Sequence, residues 1–428
     1  MKASIALQAK RLARRGTWES STRFGTLSTS ALLCYVPRVT RIYLDHNATS
    51  PLRPAAREAM LRAIDGAAGN ASSVHAFGHA ARMAVESARD AVAALICARP
   101  EEVVLTGGGT ESNDLALFGA ARGAPDARRR LVTSSFEHPS VLAVMEDLEA
   151  RGFEVIRVPP ERSGVVDADR ILAAAVPGTL LVSLMLANNE VGTLQPVAAI
   201  APELRRRGVL LHCDAAQAAG KVALDVRTLG VDLLSLAAHK FGGPQGAGAL
   251  YVRAGLPLAP HLRGGGQELN RRPGTENVAA LAGLGAAARE AARGLPEEAR
   301  GMGELRERLE ERVAALGLGG RVNAEGSPRL PNTTSLAFHG VSGESLVIAL
   351  DLEGVAVSAG SACSAGTLRR SHVLEAMGLE AEAGSSIRVS LGPNTTRPEV
   401  EAFVGILAKV VAGVRGAAAV PLPLPGRR

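Results

Sequence analysis

Seven short, almost wholly apolar runs dominate the middle of this chain and restrict what it can fold into. They cover residues 103–106, 131–134, 155–158, 180–186, 209–213, 233–237 and 249–252. Between several of them, apolar residues recur at helical spacing, which predicts helices over 79–96, 141–151 and 197–207. Strands that are apolar on both faces and alternate with helices predict an α/β fold whose mostly parallel seven-stranded sheet is covered on both sides. Sites in such sheets form beyond the strand ends, so the polar residues that follow each run are the ones to examine.

The remainder of the chain divides around this unit. Residues 1–40 are rich in Arg and Ser, with Glu19 the only acid, and contain no long apolar stretch. That composition is closer to a mitochondrial transit peptide than to a secretory signal, but a disordered leader or an upstream start codon is the simpler account. The large domain is expected over 41–300, its first residues packing with a smaller α+β domain over 301–410. That smaller domain has an Arg- and Glu-rich helix at 304–316 and strands at 334–338 and 355–358. An Ala- and Pro-rich tail at 411–428 is expected to fray.

The charge balance argues against nucleic acid as the main partner. Of 428 residues, 48 are Lys or Arg and 42 are Asp or Glu, for a net charge of +6, and only 3% are aromatic. The basic clusters at 128–130 and 205–207 read as solvated helix ends, with few rings to stack on bases. No apolar run is long enough to span a bilayer. The four cysteines, Cys34, Cys97, Cys213 and Cys363, have neither metal-ligand nor disulfide spacing. A reducing, cytoplasmic compartment with individual thiols follows. Cys97 and Cys213 lie among apolar residues and read as packing groups.

Only five lysines are present, against 43 arginines, which narrows the search for a reactive amine. Lys240 follows an apolar strand and stands among glycines, where partial desolvation would favour the nucleophilic amine. A surface lysine that merely ends a strand would look the same. Gly107-Gly108-Gly109-Thr110 follows another strand and opens a helix, so its backbone N–H groups suit a phosphate. Asp214 ends a strand, where its carboxylate could pair with a cationic ring nitrogen or cap the next helix. His138, after a third strand, could stack on a flat ring or simply pack. Arg388 in a late strand could grip a carboxylate through two parallel hydrogen bonds. Cys363 lies in Gly360-Ser361-Ala362-Cys363-Ser364-Ala365-Gly366, a run of small residues that describes an exposed loop in which a thiol can ionise and attack.

In this order the segments closely resemble the cysteine desulfurases, in the branch serving nitrogenase maturation and iron–sulfur cluster assembly. The likeness spans about residues 41–410. Its marks are Tyr43-Leu44-Asp45-His46-Asn47-Ala48-Thr49, the Gly-Gly-Thr-Glu-Ser-Asn run at 108–113 and Ala187-Asn188-Asn189-Glu190-Val191-Gly192. Further on come His212-Cys213-Asp214-Ala215-Ala216-Gln217, Ala238-His239-Lys240-Phe241, Gly264-Gly265-Gly266-Gln267-Glu268 and Gly274-Thr275-Glu276-Asn277. The Gly-Ser-Ala-Cys-Ser loop at 360–364 is the most specific of them.

The resemblance implies a fold type I enzyme, a homodimer dependent on pyridoxal 5'-phosphate, that takes sulfur from L-cysteine and leaves L-alanine and a persulfide on Cys363. It implies that Lys240 carries the cofactor and moves the substrate's Cα proton, with Asp214 on the ring nitrogen, Gln217 on the phenolic oxygen and His138 over the ring. Gly109, Thr110 and His239 would hold the phosphate with the partner subunit's Thr275, and Asn189 and Arg388 would hold the substrate carboxylate. A sulfur-acceptor protein such as an iron–sulfur scaffold is the implied partner, and Cys363 would ligate iron only transiently. Selenocysteine lyase and tRNA-thiolation sulfur donor are neighbouring activities on the same fold. A plain aminotransferase needs no nucleophilic thiol, and a non-catalytic scaffold needs neither Lys240 nor Cys363. Three departures from the family pattern bear on the cofactor. The usual serine three residues before the lysine is Ala237, so that one phosphate hydrogen bond is missing or Ser235 or another donor substitutes; Pro273 removes a backbone donor; and Gln245 replaces a common lysine.

Overall fold

A computed structural model describes residues 41–66, 69–125, 127–359 and 370–418. Cys363, Cys34 and the 1–40 leader lie outside the described residues. The strands in chain order are β1 (Ile42–Tyr43), β2 (Val103–Thr106), β3 (Arg130–Ser134), β4 (Glu154–Val158), β5 (Thr179–Ser183), β6 (Leu210–Asp214), β7 (Leu233–Ala237) and β8 (Gly248–Val252). They are followed by β9 (Gly320–Val322), β10 (Thr333–Phe338), β11 (Val355–Ala356), β12 (Ser358–Ala359) and β13 (Ser386–Ser390).

The seven apolar runs form one sheet in the order β2-β8-β7-β6-β5-β3-β4. Only β8 runs antiparallel to its neighbours. Every residue of β2, β5, β7 and β8 is buried, as expected for a sheet with helices on both faces. The run predicted at 180–186 forms β5 up to Ser183, and beyond it the Leu184 and Leu186 N–H groups still donate to His212 O at 3.1 Å and Asp214 O at 2.9 Å of β6, ahead of the turn that presents Asn188 and Asn189.

β2 is an edge strand, and its exposed ladder groups are a liability unless covered. The covering group is Glu268, from the glycine-rich motif. Its carboxylate accepts from the Leu105 N–H at 2.8 Å and from both Nη atoms of Arg89 at 2.7 and 2.8 Å. Glu268, Leu269 and Asn270 all have positive φ, between 47° and 64°, so this turn is held in a costly backbone region by the buried ion pair it makes. Removing either partner would cost about 3–5 kcal/mol.

A second core gathers Leu336, Phe338, Leu346, Leu350, Ile387, Val389, Phe403 and Leu407, with Ile42 and Leu44 from the start of the described residues. Its sheet is antiparallel, in the order β12-β13-β10-β9, while β1 pairs with β11 in parallel. The helix expected at 304–316 is instead the end of a 38-residue helix, Val278–Ala315. Its first half packs into the main core through Leu281, Leu284 and Ala288, and its second half into the smaller one through Met302, Leu309 and Val313. Pro296 lies inside it without ending it. The sequence-derived boundary at 300/301 therefore falls within one continuous element.

Other details differ from expectation. Helix Arg397–Ala418 continues past the residue where the tail was placed. Arg128–Arg130 precede and open β3 rather than ending a helix. Cys213 is fully buried, but Cys97 is exposed, with φ 54° in the turn that ends helix Ala76–Leu95. The apolar neighbours of Cys97 in sequence face inward, whereas the turn carries Cys97 itself out to solvent.

Candidate active site

The ends of β3, β6 and β7 deliver His138, Asp214 and Lys240 to one place, and helix Gly109–Arg122 supplies a fourth wall. Parallel strands in register end at the same level, so residues far apart in sequence meet there. A hydrogen-bonded chain ties the carboxylate to the imidazole. Asn113 Nδ2 donates to Asp214 Oδ2 at 2.8 Å and to Ser140 Oγ at 2.9 Å, and Ser140 Oγ lies 2.7 Å from His138 Nδ1. Asp214 Oδ1 also accepts from the Ala216 N–H at 2.9 Å. Its second oxygen thus keeps a direct neutral donor, and its charge stays within reach of His138.

A second network centres on Asn47, from the opening motif. Lys240 Nζ donates to Asn47 O at 2.6 Å and to Ala48 O at 2.9 Å. Gln217 Nε2 donates to the same Asn47 carbonyl at 3.0 Å, and Lys221 Nζ donates to Gln217 Oε1 at 3.0 Å. The Asn47 side chain donates to Asn189 O at 3.2 Å and Thr333 Oγ1 at 2.9 Å, and accepts from Asn332 at 3.1 Å. Arg388 Nη1 reaches Asn189 O at 3.1 Å, and its Nη2 reaches Asp45 Oδ1 at 2.7 Å. One segment, residues 45–48, therefore joins the lysine end of the site to the arginine end.

Burial sets the protonation of the imidazoles. His239 is held down to about 4, first by burial and then by the Lys240 and Lys221 cations and His138; its Nδ1 lies 3.2 Å from Thr49 Oγ1. His138 is lowered by burial, with Asp214 opposing. Both rings are accordingly neutral near pH 7, which leaves a lone pair and a flat apolar face rather than a cation.

Gly109 opens its helix after Gly108, whose φ of 150° favours glycine. A Cβ on Gly109 would lie 3.1 Å from the Ala237 Cβ, so the loop and the end of β7 are in close contact. Arg272 braces the loop, its Nε donating to Glu111 Oε1 at 2.6 Å while Glu111 Oε2 accepts from the Gly107 N–H at 2.7 Å. Thr110 and Thr275 are both exposed. Ser235 is no substitute donor for the missing serine: it is fully buried, its Oγ 3.0 Å from His212 Nε2.

The chain matches the class-V aminotransferase family model over residues 42–403. It is 41% identical over 379 residues to a cysteine desulfurase IscS of Dictyoglomus turgidum, covering 87% of this chain and 95% of that protein. This chain belongs to the class-V aminotransferase family, among the cysteine desulfurases. A cysteine desulfurase of Cereibacter sphaeroides is 43% identical over 378 residues, covering 88% and 97% of the two chains. Among solved structures, a NifS-like protein superposes with a TM-score of 0.82 at 35% identity, covering 87% of this chain and all of that one.

Of the residues expected at a desulfurase site, His138 and Asp214 meet in the first network and Lys240, Gln217, Asn189 and Arg388 in the second, while His239, next to Lys240, lies against Thr49. Gly109 and Thr110 stand beside them on the adjoining helix. Thr275 is exposed and stands outside both networks, and Cys363 lies outside the described residues. Sequence reasoning passed over Asn113, Ser140, Asn47 and Lys221 as participants. Asn47 and Asn113 stood inside quoted motifs, but nothing local marks an asparagine as a bridge. Among the described residues, no three His, Cys, Asp or Glu side chains gather as a metal site, and no helix is long and apolar enough to cross a membrane.

Proposed function

We propose that this protein is a pyridoxal 5'-phosphate-dependent cysteine desulfurase that yields L-alanine and passes sulfur through Cys363 to an acceptor protein for iron–sulfur cluster assembly. The observation that carries this reading is two hydrogen-bonded networks set side by side, Asp214 with His138 and Lys240 with Gln217, Asn189 and Arg388, with both Asp214 and Lys240 in electrostatic reach of His138, in a chain whose relatives are cysteine desulfurases over nearly their whole length.

The residues present fit the cofactor. An amine, a carboxylate, a neutral imidazole and a glycine-opened helix N-terminus surround one region. Asn113 Oδ1, Asn189 Oδ1 and Arg388 Nε are buried there without a partner among the described residues, a state that a polar ligand would relieve. Lys240 would hold pyridoxal phosphate, Asp214 its ring nitrogen and Gln217 its phenolic oxygen, while His138 would cover the ring. Gly109, Thr110 and His239 would hold the phosphate, with the partner subunit's Thr275. When bound, the cofactor withdraws electrons from the substrate's Cα and so weakens its bond to the α-proton and, in turn, the C–S bond.

The chain's own groups do the rest. Arg388 and Asn189 orient the substrate carboxylate, and the Lys240 amine takes and returns a proton at Cα. The Cys363 thiolate attacks the substrate sulfur: an S–S bond forms, the C–S bond breaks with its electron pair returning to the carbon side, and a proton there completes alanine. A thiolate of the acceptor then attacks the outer sulfur of the persulfide: a new S–S bond forms on the acceptor, and the bond to Cys363 breaks to return its thiolate. Apolar residues Leu61, Ile64, Val74, Phe77 and Met83 are exposed, a cluster suited to burial in the homodimer.

The test is turnover of L-cysteine by the purified, pyridoxal-phosphate-loaded protein under reducing conditions. Alanine and sulfide should appear in equal amounts, and Lys240→Ala should lose both products together with the visible absorbance. A Lys240→Ala protein with unchanged absorbance and turnover would refute the assignment.

A further inference from the structure

Lys221 takes no part in the reaction as set out above, yet it is 4% exposed and lies directly behind the site. Burying an amine is unfavourable unless a polar partner compensates. The groups around it sharpen the point. Lys240, Arg388 and His46 are its charged or titratable near neighbours. Across the cavity that it shares with Lys240 and His46 stand Arg53, Glu290, Glu298 and Glu399, and Arg53 is itself held by Glu298. Burial and the two cations push the Lys221 amine well below the ordinary lysine range. Its hydrogen bond runs to a neutral acceptor, Gln217 Oε1, at 3.0 Å.

That acceptor matters because an amide can be turned over. Its oxygen and nitrogen occupy nearly the same space and differ only in what they bond. With Oε1 on Lys221, Nε2 donates to Asn47 O at 3.0 Å. Turned over, Gln217 would set its oxygen against the Asn47 carbonyl, acceptor against acceptor, and its N–H groups against an amine that also donates. Lys221 donates an N–H whether or not it is charged; a neutral amine could also accept, but the two carbonyl oxygens would still face each other at Asn47, so the observed orientation is the favoured one. Among the described residues, Asn47 O takes one of the two Nε2–H bonds, and the other remains to be offered. The spacing of four residues between Gln217 and Lys221, in a turn closed by Lys221 N–H to Ala218 O at 3.0 Å, holds the pair together.

We infer that Lys221 is a positioning residue: its amine fixes the Gln217 amide so that an N–H, and not the carbonyl, is offered to the cofactor's phenolic oxygen. The inference rests on the desulfurase reading, and its test separates the two. Lys221→Met keeps the length and apolar stem but removes the donor. In Lys221→Met the dissociation constant for pyridoxal phosphate should rise roughly five- to tenfold, the effect of one hydrogen bond. The pH midpoint of the loaded enzyme's visible absorbance should shift as well. Lys221→Gln, whose amide N–H can still donate, should recover both readouts in large part. In a Gln217→Ala background, Lys221→Met should add no further change to either, because the group through which it acts is gone.

Circular dichroism and a melting curve establish that each variant is folded before it is compared. A folded Lys221→Met protein with wild-type affinity and an unshifted pH midpoint would overturn the inference. Equal impairment of Lys221→Gln and Lys221→Met, persisting in the Gln217→Ala background, would overturn it in favour of simple packing. A wild-type chain that takes up no pyridoxal phosphate would overturn the function reading itself and this inference with it.

Discussion

Arg388 and Asp45 are 343 residues apart in sequence and 2.7 Å apart in the fold, with the arginine side chain 4% exposed. The carboxylate neutralises a cation that would otherwise be buried alone, and it fixes the guanidinium plane. Arg388 Nε, buried and without a partner among the described residues, stays available for an incoming carboxylate.

Replacing Arg388 with Lys keeps the charge and removes the planar pair of donors. The KM for L-cysteine should rise about ten- to a hundredfold, with kcat much less affected. Steady-state kinetics at saturating cofactor decide this. A variant whose loss lies wholly in kcat would assign Arg388 a different task.

The pH dependence of stability should carry the mark of two buried glutamates. Glu137 is pushed up to about 8, chiefly by burial, against hydrogen bonds from Ser134 and the Met185 N–H. Glu190 is pushed up to about 7, again chiefly by burial, against the Ser371 hydroxyl and Arg388. A raised carboxyl pKa contributes stability that is fully present below the unfolded value of about 4.3 and is lost as pH rises through the folded value. His46, His212 and His239, each held near 4 by burial, act in the opposite window: their contribution is present above about 6.5 and lost as pH falls. Above that point only the glutamates' loss operates among these five groups. Lys221, held well below the ordinary lysine range by burial, opposes the glutamates as pH rises, so the mark lies in the difference: the urea midpoint of the wild type should fall relative to that of Glu137→Gln between about pH 6.5 and 8. Parallel slopes for the two proteins would contradict the account.

Ala237 stands against Gly109, where a serine hydroxyl would face the opening of the helix. Ser235 cannot replace it, because its Oγ lies against His212. Ala237→Ser should thus tighten pyridoxal phosphate binding by about three- to tenfold. Titration of the cofactor-free protein, followed by its visible absorbance, measures the change.

Cys363→Ser should leave cofactor affinity and colour intact and reduce sulfide release from cysteine on the order of a hundredfold or more, since an alcohol is a far weaker nucleophile than a thiolate at neutral pH. Alkylation of the wild type after incubation with cysteine should trap a sulfur atom added at Cys363. Undiminished turnover in the serine variant would remove Cys363 from the pathway of the sulfur.

Local pattern alone determined the seven-stranded sheet, because a strand buried on both faces needs a continuous apolar run that can be read without its neighbours. It also placed Lys240, Asp214 and His138 at strand ends. Pattern misled where local composition hides what lies further along the chain: the Arg- and Glu-rich stretch at 304–316 read as a helix of its own, and the apolar neighbours of Cys97 suggested a burial that its turn does not provide. What only the tertiary structure decided is how the site residues hold one another. Asn47 meets Asn189 across 142 residues and Lys240 across 193, and Arg388 meets Asp45 across 343. No local propensity encodes these pairs. Each depends on which strand ends lie side by side, and that follows from burying two cores at once around a single threaded segment.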